Sequence, residues 1–565
     1  MPNLMKHSLP EKLKQSYRAE VQRTIEEKRV SRIWEKDAAV WTGADEADWL
    51  GWLTIVDKEL GDLEKYRSLR EDLDSAGLTQ ALLMGMGGSS LCPEVLAITF
   101  GRDDFHILDS TVPAQVITAE SRLDLERTVF IVASKSGTTL EPNCFKQYFF
   151  DRLAKKIGKE RAGRQFLAIT DPGSSMQKAA EADGYRHIFF GKPDIGGRFS
   201  ALSAFGLTAA AVMGLDVERL LKSADAMVKA CRATNANENP GAILGTLLGI
   251  CHREGRDKLT ILTPPEFYDL GAWLEQLIAE STGKNGMAII PVDREALDDP
   301  EVYGDDRVFV NFTLKGSEVD EDMLADLNDL AEAGHPMIDI ELSDLYGIGQ
   351  EFFRWEFATA VAGSIMGLNP FNQPDVEAAK TEARKITDAY EVSGELPKEE
   401  PFFNDGNISL FSRPNYAAEL ENAADERSLA GFLEAHLWNL AENDYFAILA
   451  FIEMDQEHED VLQQIRSNVL VQYKVATCLG FGPRFLHSTG QAYKGGPDNG
   501  VFLQITADDP VDLPVPGQKY SFGIVESAQA RGDFQVLLDR GRRALRAHIS
   551  GDVKAGLERL LEVMG

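Results

Sequence analysis

Val129-Phe130-Ile131-Val132-Ala133-Ser134-Lys135-Ser136-Gly137-Thr138-Thr139-Leu140-Glu141-Pro142 holds the reading of the fold and the first clue to chemistry. Residues 129–132 are apolar without interruption, the mark of a strand buried on both faces of a parallel sheet. Pro142 suits the first turn of a helix, where its missing N–H costs nothing. The stretch therefore reads as strand, turn, helix. The same rhythm recurs at 81–84, 105–108, 166–169 and 187–190, with spacers long enough for helical or irregular crossovers. A polar run at 234–241 marks a boundary, and strands return at 259–262, 288–290, 308–310 and 337–340, then at 445–451 and 501–505. The expected fold class is α/β: two doubly wound, mainly parallel-sheet domains in a three-layer α/β/α arrangement, with helical N-terminal and C-terminal extensions. The boundaries are a helical arm over 1–76 anchored by Trp34, Trp41, Trp49 and Trp52, a first domain over 77–232 and a second over 242–565. Within the second, 391–410 reads as an exposed connection and 529–564 as helix.

Composition narrows the function classes. The chain has 565 residues, 44% of them apolar, enough for sizeable cores. Its 58 Lys+Arg against 90 Asp+Glu give a net charge of −32, which argues against nucleic acid and anionic membranes as partners. The apolar stretch 202–215 is too short to span a bilayer and suits a buried helix. Five cysteines without a C-x-x-C pair read as reduced thiols of a cytoplasmic protein, and no His/Cys ligand spacing calls for a metal. The start lacks the apolar core of a signal peptide.

Ligands of doubly wound sheets sit beyond the carboxyl ends of the strands, so the residues after each strand matter most. Gly85-Met86-Gly87-Gly88-Ser89-Ser90 follows the first strand. It is either a tight turn or a close backbone approach to an anion at a helix start. It partly resembles a dinucleotide fingerprint, with Asp109 in the place of a ribose acid, but Ser90 stands where the third glycine belongs. The turn 134–139 offers four hydroxyls, a glycine and a lysine, more than a helix cap needs and suited to wrapping a phosphate. Gly196-Gly197-Arg198-Phe199-Ser200 presents an arginine at a helix start, either a seam ion pair or a stabiliser of a developing oxyanion. Gln276 and Glu280, four apart, share one face of a helix beside apolar side chains, where a carboxylate can become a general base. The commoner fate of such a glutamate is a solvated charge.

Taken in order, these segments resemble the glucose-6-phosphate isomerase family. Gly87, Gly88 and Ser89, the 134–139 loop, 196–200, Glu280-Ser281-Thr282-Gly283-Lys284 and Phe371-Asn372-Gln373-Pro374-Asp375-Val376-Glu377-Ala378-Ala379-Lys380 are similar to its motifs over about 80–510. The isomerase half of fused transaldolase–phosphoglucose isomerase proteins looks most alike, and no transaldolase half is present. The resemblance implies two sugar isomerase (SIS) domains with the site between them. It implies aldose–ketose isomerisation of glucose 6-phosphate and fructose 6-phosphate through ring opening and a cis-enediol(ate), without a cofactor. By position, Ser134, Lys135, Ser136, Thr138 and Thr139 would hold the phosphate and Glu141 would support that loop. Gly87, Gly88 and Ser89 would line the sugar site. Glu280 would be the base with Gln276 beside it. Arg198 would shield it and stabilise the enediolate, and Lys380 would contact the ring oxygen. The family's ring-opening histidine lies between base and lysine, where this chain has only His335, which matches no motif. The better match is His487 in Leu486-His487-Ser488-Thr489-Gly490-Gln491, beyond the lysine. Pro374-Asp375 replaces the usual Trp-Gly. Family members are commonly dimers in which a histidine reaches the partner's site, so the resemblance allows a homodimer; with His487 displaced along the chain, action in its own subunit and in a partner's both stay open. The substrate is a dianion and the protein strongly negative, so Lys135, Arg198 and Lys380 are expected to form a local positive island. Three other readings are weighed against it: a sugar-phosphate sensor without turnover, an NAD-dependent oxidoreductase built on residues 85–90 and Asp109, and an amino-sugar isomerase, which the lack of an N-terminal glutaminase cysteine weakens.

Overall fold

The computed structural model describes residues 2–318 and 320–565. Strands follow in chain order as β1 (Leu4–Ser8), β2 (Gln80–Met84), β3 (Phe105–Leu108), β4 (Thr128–Ala133), β5 (Phe166–Thr170), β6 (His187–Phe190), β7 (Lys258–Leu262), β8 (Ile290–Asp293), β9 (Arg307–Leu314) and β10 (Met337–Leu342). Six more come after residue 400: β11 (Phe403–Asp405), β12 (Ile408–Phe411), β13 (Tyr445–Phe451), β14 (Ala476–Phe481), β15 (Gly500–Ala507) and β16 (Arg543–Ile549). They form three sheets, ordered β3-β2-β4-β5-β6, β1-β10-β9-β7-β8 and β11-β12-β16-β15-β13-β14. The first is wholly parallel, and only β1, β11 and β12 make antiparallel pairs in the others. Every residue of β4 and of β13 is buried, as strands covered on both faces must be.

The mixed α/β class with mainly parallel sheets is as the sequence indicates. The organisation needs four corrections. The C-terminal part is not an extension but carries the third, six-stranded sheet with its own apolar core. The stretch 529–564 is not one helix: β16 separates the helices Phe522–Asp539 and Val553–Met564. The helix-forming Leu, Ala and Arg of β16 hide a period of two, in which Leu545, Ala547 and Ile549 enter the core. The exposed connection shrinks to 394–402, because the helix Pro374–Ser393 precedes it and the β11–β12 hairpin follows. The N-terminal arm is mainly helical but begins with β1, which adds an antiparallel edge to β10.

The arm's tryptophans do anchor it. Trp52 is fully buried among Phe199, Phe353 and Phe357, and the Trp41 indole N–H donates to the Ala360 carbonyl. The 202–215 stretch holds the buried helix Ala204–Val212. Among the described residues no helix is long and apolar enough to cross a membrane. All five cysteines are buried and unpaired with one another. His335 is a core histidine, edge-on to Tyr303 and Phe309, and burial lowers its pKa to about 4.

Candidate active site

The helix Leu270–Thr282 is buried along most of its length, and Glu280 lies near its end with only 7% of its surface exposed. A buried carboxylate needs partners. Gln276, one turn earlier, donates Nε2–H to the Glu280 carboxylate at 3.3 Å, and the Arg198 guanidinium stands 3.5 Å from it. Arg198 comes from the short turn Gly197–Phe199 after the first sheet. It is held from every side: Nε donates to Ser281 Oγ (2.7 Å), one terminal nitrogen to Gln373 Oε1 (3.0 Å), the other to the carbonyls of Pro370 (2.6 Å) and Asn372 (3.1 Å). Burial lowers the Arg198 pKa, and Glu280 partly restores it. Lys284 donates to the Asn369 and Asn372 carbonyls at 2.8 and 2.5 Å. Burial first, and Arg198 second, push its pKa well below the lysine value.

Gly87–Ser89 forms one tight turn directly after β2. A β-carbon on Gly88 would stand 2.0 Å from the Gly197 carbonyl oxygen, so glycine is what lets this turn and the Arg198 turn touch. Gly87 has φ +54°, and a β-carbon there would meet Gln276 Nε2 at 2.6 Å and the His487 carbonyl at 2.9 Å. The same Gln276 amide also donates to the His487 carbonyl at 2.8 Å. The loop after β4 folds on its own hydroxyls. Ser134 Oγ donates to Thr139 Oγ1 and accepts from the Gly137 N–H, both at 3.1 Å, and Ser136 and Thr138 share a 2.9 Å hydrogen bond at the exposed rim.

Two residues beyond that loop, Glu141 is buried and accepts from His487 Nε2 at 2.9 Å and from Gln529 Nε2 at 2.6 Å. Gln529 in turn accepts from Thr111 Oγ1 at 2.7 Å. Burial by itself would raise the Glu141 pKa; the facing His487, then a backbone hydrogen bond and Lys380, together more than offset it and hold the carboxyl below its ordinary value. A continuous path of contacts thus runs from the hydroxyl loop through Glu141, His487 and Gln276 to Glu280. His487, although late in the sequence, reaches Glu141 of its own chain.

Some expectations are met differently. Lys135 points away from the hydroxyls: its ammonium donates to Asp171 at 2.5 Å and to the Lys192 carbonyl at 2.9 Å. Lys380 is exposed and paired with Glu377 at 2.9 Å. Each of the three cations expected to form a positive island therefore already faces a carboxylate. Asp109 is not poised for a ribose; it accepts from Ser90 Oγ and from Arg484, both at 3.0 Å, in a buried cluster with Glu94. That placement removes the residue on which a dinucleotide reading depended.

Sequence reasoning did not find Thr111 and Gln529, which lie 418 residues apart and bear no local motif. Gln491, in the His487 segment, joins two helices. The Gln491 carbonyl accepts from the N–H groups of Asp375 and Val376, and its amide donates to Asp375 and to Gly283, clamping the start of the Lys380 helix to the end of the Glu280 helix.

Comparison with known proteins agrees with this geometry. The family model for phosphoglucose isomerase matches residues 63–296, which span the 87–89 turn, the hydroxyl loop, Arg198 and Glu280. A glucose-6-phosphate isomerase of Parabacteroides distasonis is 30% identical over 390 residues, covering 59% of this chain and 86% of its own. That of Methanocaldococcus jannaschii is 27% identical over 355 residues, covering 56% and 85%. In fold, the crystal structure of a hypothetical protein from Thermus thermophilus superposes with TM-score 0.58 at 24% identity, covering 67% of this chain and 99% of that one. With three dispersed segments meeting around one buried glutamate and relatives aligned over most of their length, the chain belongs to the phosphoglucose isomerase family.

Proposed function

We propose that the protein is a glucose-6-phosphate isomerase, interconverting glucose 6-phosphate and fructose 6-phosphate, with Glu280 as the base. The observation that carries this reading is the Glu280 carboxylate, buried beside Gln276 and Arg198 and linked through His487 and Glu141 to the hydroxyl loop. The phosphate lies in the cup of Ser134, Ser136, Thr138 and Thr139, bound by hydroxyls and backbone N–H groups. Lys135 braces the cup through Asp171 instead of touching the phosphate.

Ring opening moves a proton from the anomeric hydroxyl to the ring oxygen. His487 serves that step: Glu141 accepts from Nε2 and fixes the ring, leaving Nδ1 for the substrate. Lys380 assists at the ring oxygen once its exposed pair with Glu377 opens. In the open aldose, Glu280 takes the C2 proton, the C2–H electrons form the C1–C2 double bond, and the C1 carbonyl oxygen takes up the negative charge. The C2 hydroxyl then passes its proton to the C1 oxyanion, the C2–O bond becomes the carbonyl, and the C1–C2 double-bond electrons take the proton back from Glu280 at C1, which gives the ketose with its C1 hydroxyl. Arg198, immobilised by Ser281, Gln373 and two carbonyls, meets the oxyanion without reorganising. The buried, unpaired cysteines support a reducing, cytoplasmic setting.

The test is purified protein with fructose 6-phosphate and a coupled glucose 6-phosphate readout. Glu280→Gln is expected to lose about 10²–10⁴ in kcat. Full turnover in that variant would remove this mechanism, and absence of turnover in the parent protein, with binding retained, would favour the sensor.

A further inference from the structure

Away from the site just described, the third sheet carries a cavity of about 400 Å³ at the carboxyl ends of β15 and β16. Its floor includes Thr506 and His548 of the two strands, its wall Glu526 and Arg531 of the helix Phe522–Asp539, and its roof the irregular strap 394–402. Arg546, also on β16, has only 4% of its side chain exposed. It lies between the rings of Phe411 (4.4 Å) and Phe534 (5.1 Å), which fix the guanidinium plane. Its Nε–H is buried with no partner among the described residues. An unsatisfied buried donor on a charged group is costly, and Arg546 is among the residues that line this cavity.

One strap residue enters the space. A single oxygen of Glu399 accepts from Arg531 Nε and from Arg546, each at 2.9 Å. Beyond that, Arg531 also donates to the Pro397 carbonyl at 2.7 Å. The wall thus sets two guanidinium groups against one carboxylate. Burial, and next the neighbouring Asp509, push the Glu526 pKa well above the ordinary carboxylate value. Thr506 Oγ1 and His548 Nδ1 share a 2.9 Å hydrogen bond, and His548 Nε2 faces Asp508 at 3.2 Å, so these groups are already partnered. The exposed Lys398 and Glu400 of the strap offset one another.

We propose that this cavity is a second ligand site, separate from the isomerase cleft. It takes a small organic anion, phosphorylated or carboxylated, on Arg531 and Arg546, and Glu399 is a built-in competitor that the ligand displaces. Two arginines presenting forked N–H donors match the oxygens of a phosphate or carboxylate. A competitor carried on the same chain weakens the apparent affinity by the fraction of time it occupies the arginines.

The experiment is isothermal titration of the full-length protein with inorganic phosphate and, separately, with citrate. Binding to the hydroxyl cup is common to the parent chain and to every variant, so the difference between them reports on this cavity. Glu399→Gln is expected to bind at least one probe about tenfold tighter than the parent chain, because the competing charge is gone. Arg531→Gln and Arg546→Gln are expected to lose that binding. Preference for phosphate over citrate identifies a phosphorylated ligand, and the reverse a carboxylated one. The proposal is overturned if neither probe binds Glu399→Gln, or if Arg531→Gln binds both as the parent does. Arg531 is partly exposed, so its variant decides the matter even where Arg546→Gln fails to fold.

Discussion

Gly88→Ala is the sharpest test of how the site is assembled. An added β-carbon would stand 2.0 Å from the Gly197 oxygen and 2.3 Å from its carbonyl carbon, where 3.4 Å is an ordinary contact. Both obstacles are backbone atoms, so no side-chain rotation relieves them. The turn Gly87–Ser89 and the turn Gly197–Phe199 must part by more than 1 Å. Overpacking of this kind costs about 1–3 kcal/mol, which a protein of this size survives. Catalysis is less tolerant. Arg198 is the residue after Gly197; in the proposed mechanism it meets the oxyanion, and a displacement of about 1 Å in such a group costs roughly 10²-fold. We therefore expect kcat to fall about 10²-fold in the fructose 6-phosphate assay, with the circular dichroism spectrum unchanged and only a modest loss of thermal stability. Gly196→Ala is the control: a β-carbon there meets nothing within 4 Å, and its φ of −65° suits any residue. A Gly88→Ala enzyme that turns over within twofold of the parent would show that contact between these turns does not set the position of Arg198.

Other expectations follow from the same geometry. Gln529→Ala removes a 2.6 Å donor from the buried Glu141 carboxylate, whose pKa is held below the ordinary value. The carboxylate form should then be lost at higher pH, so the acid limb of kcat/KM should move upward, with kcat down about tenfold; an unmoved acid limb would reduce Gln529 to a packing role. His436, fully buried, donates Nε2–H to the Phe502 carbonyl and accepts from the Tyr416 hydroxyl; burial lowers its pKa to about 3. Below about pH 6.5 the unfolded chain binds a proton that the folded one refuses, so stability should fall with falling pH by up to about 1.4 kcal/mol per pH unit down to about pH 3. Urea titrations of His436→Gln should show that slope reduced. Because Lys135, Arg198 and Lys380 already face carboxylates on a strongly acidic protein, kcat/KM should stay flat or rise with salt. A steep fall with salt, without unfolding, would show that substrate is steered by a net positive field.

Sequence alone was enough for the local choices. Short apolar runs bounded by turn residues, such as 129–132, pointed to buried strands, and a hydroxyl-rich turn after such a strand falls at the carboxyl edge of its sheet. The spacing of Gln276 and Glu280 by one helical turn places both on one face, and the structure has them hydrogen-bonded. These features are set by backbone periodicity, which acts over a few residues. What tertiary structure decided is which segments meet. β16 was invisible because its residues favour a helix, and only pairing with β12 and β15 and burial of alternate side chains make it a strand. Lys135 belongs to the hydroxyl loop by position yet turns to Asp171, a choice between two reachable partners that rotamer and packing settle. Thr111, Glu141, His487 and Gln529 form one hydrogen-bonded chain from four distant places in the sequence, because burying the Glu141 charge demands donors from whatever the fold brings near.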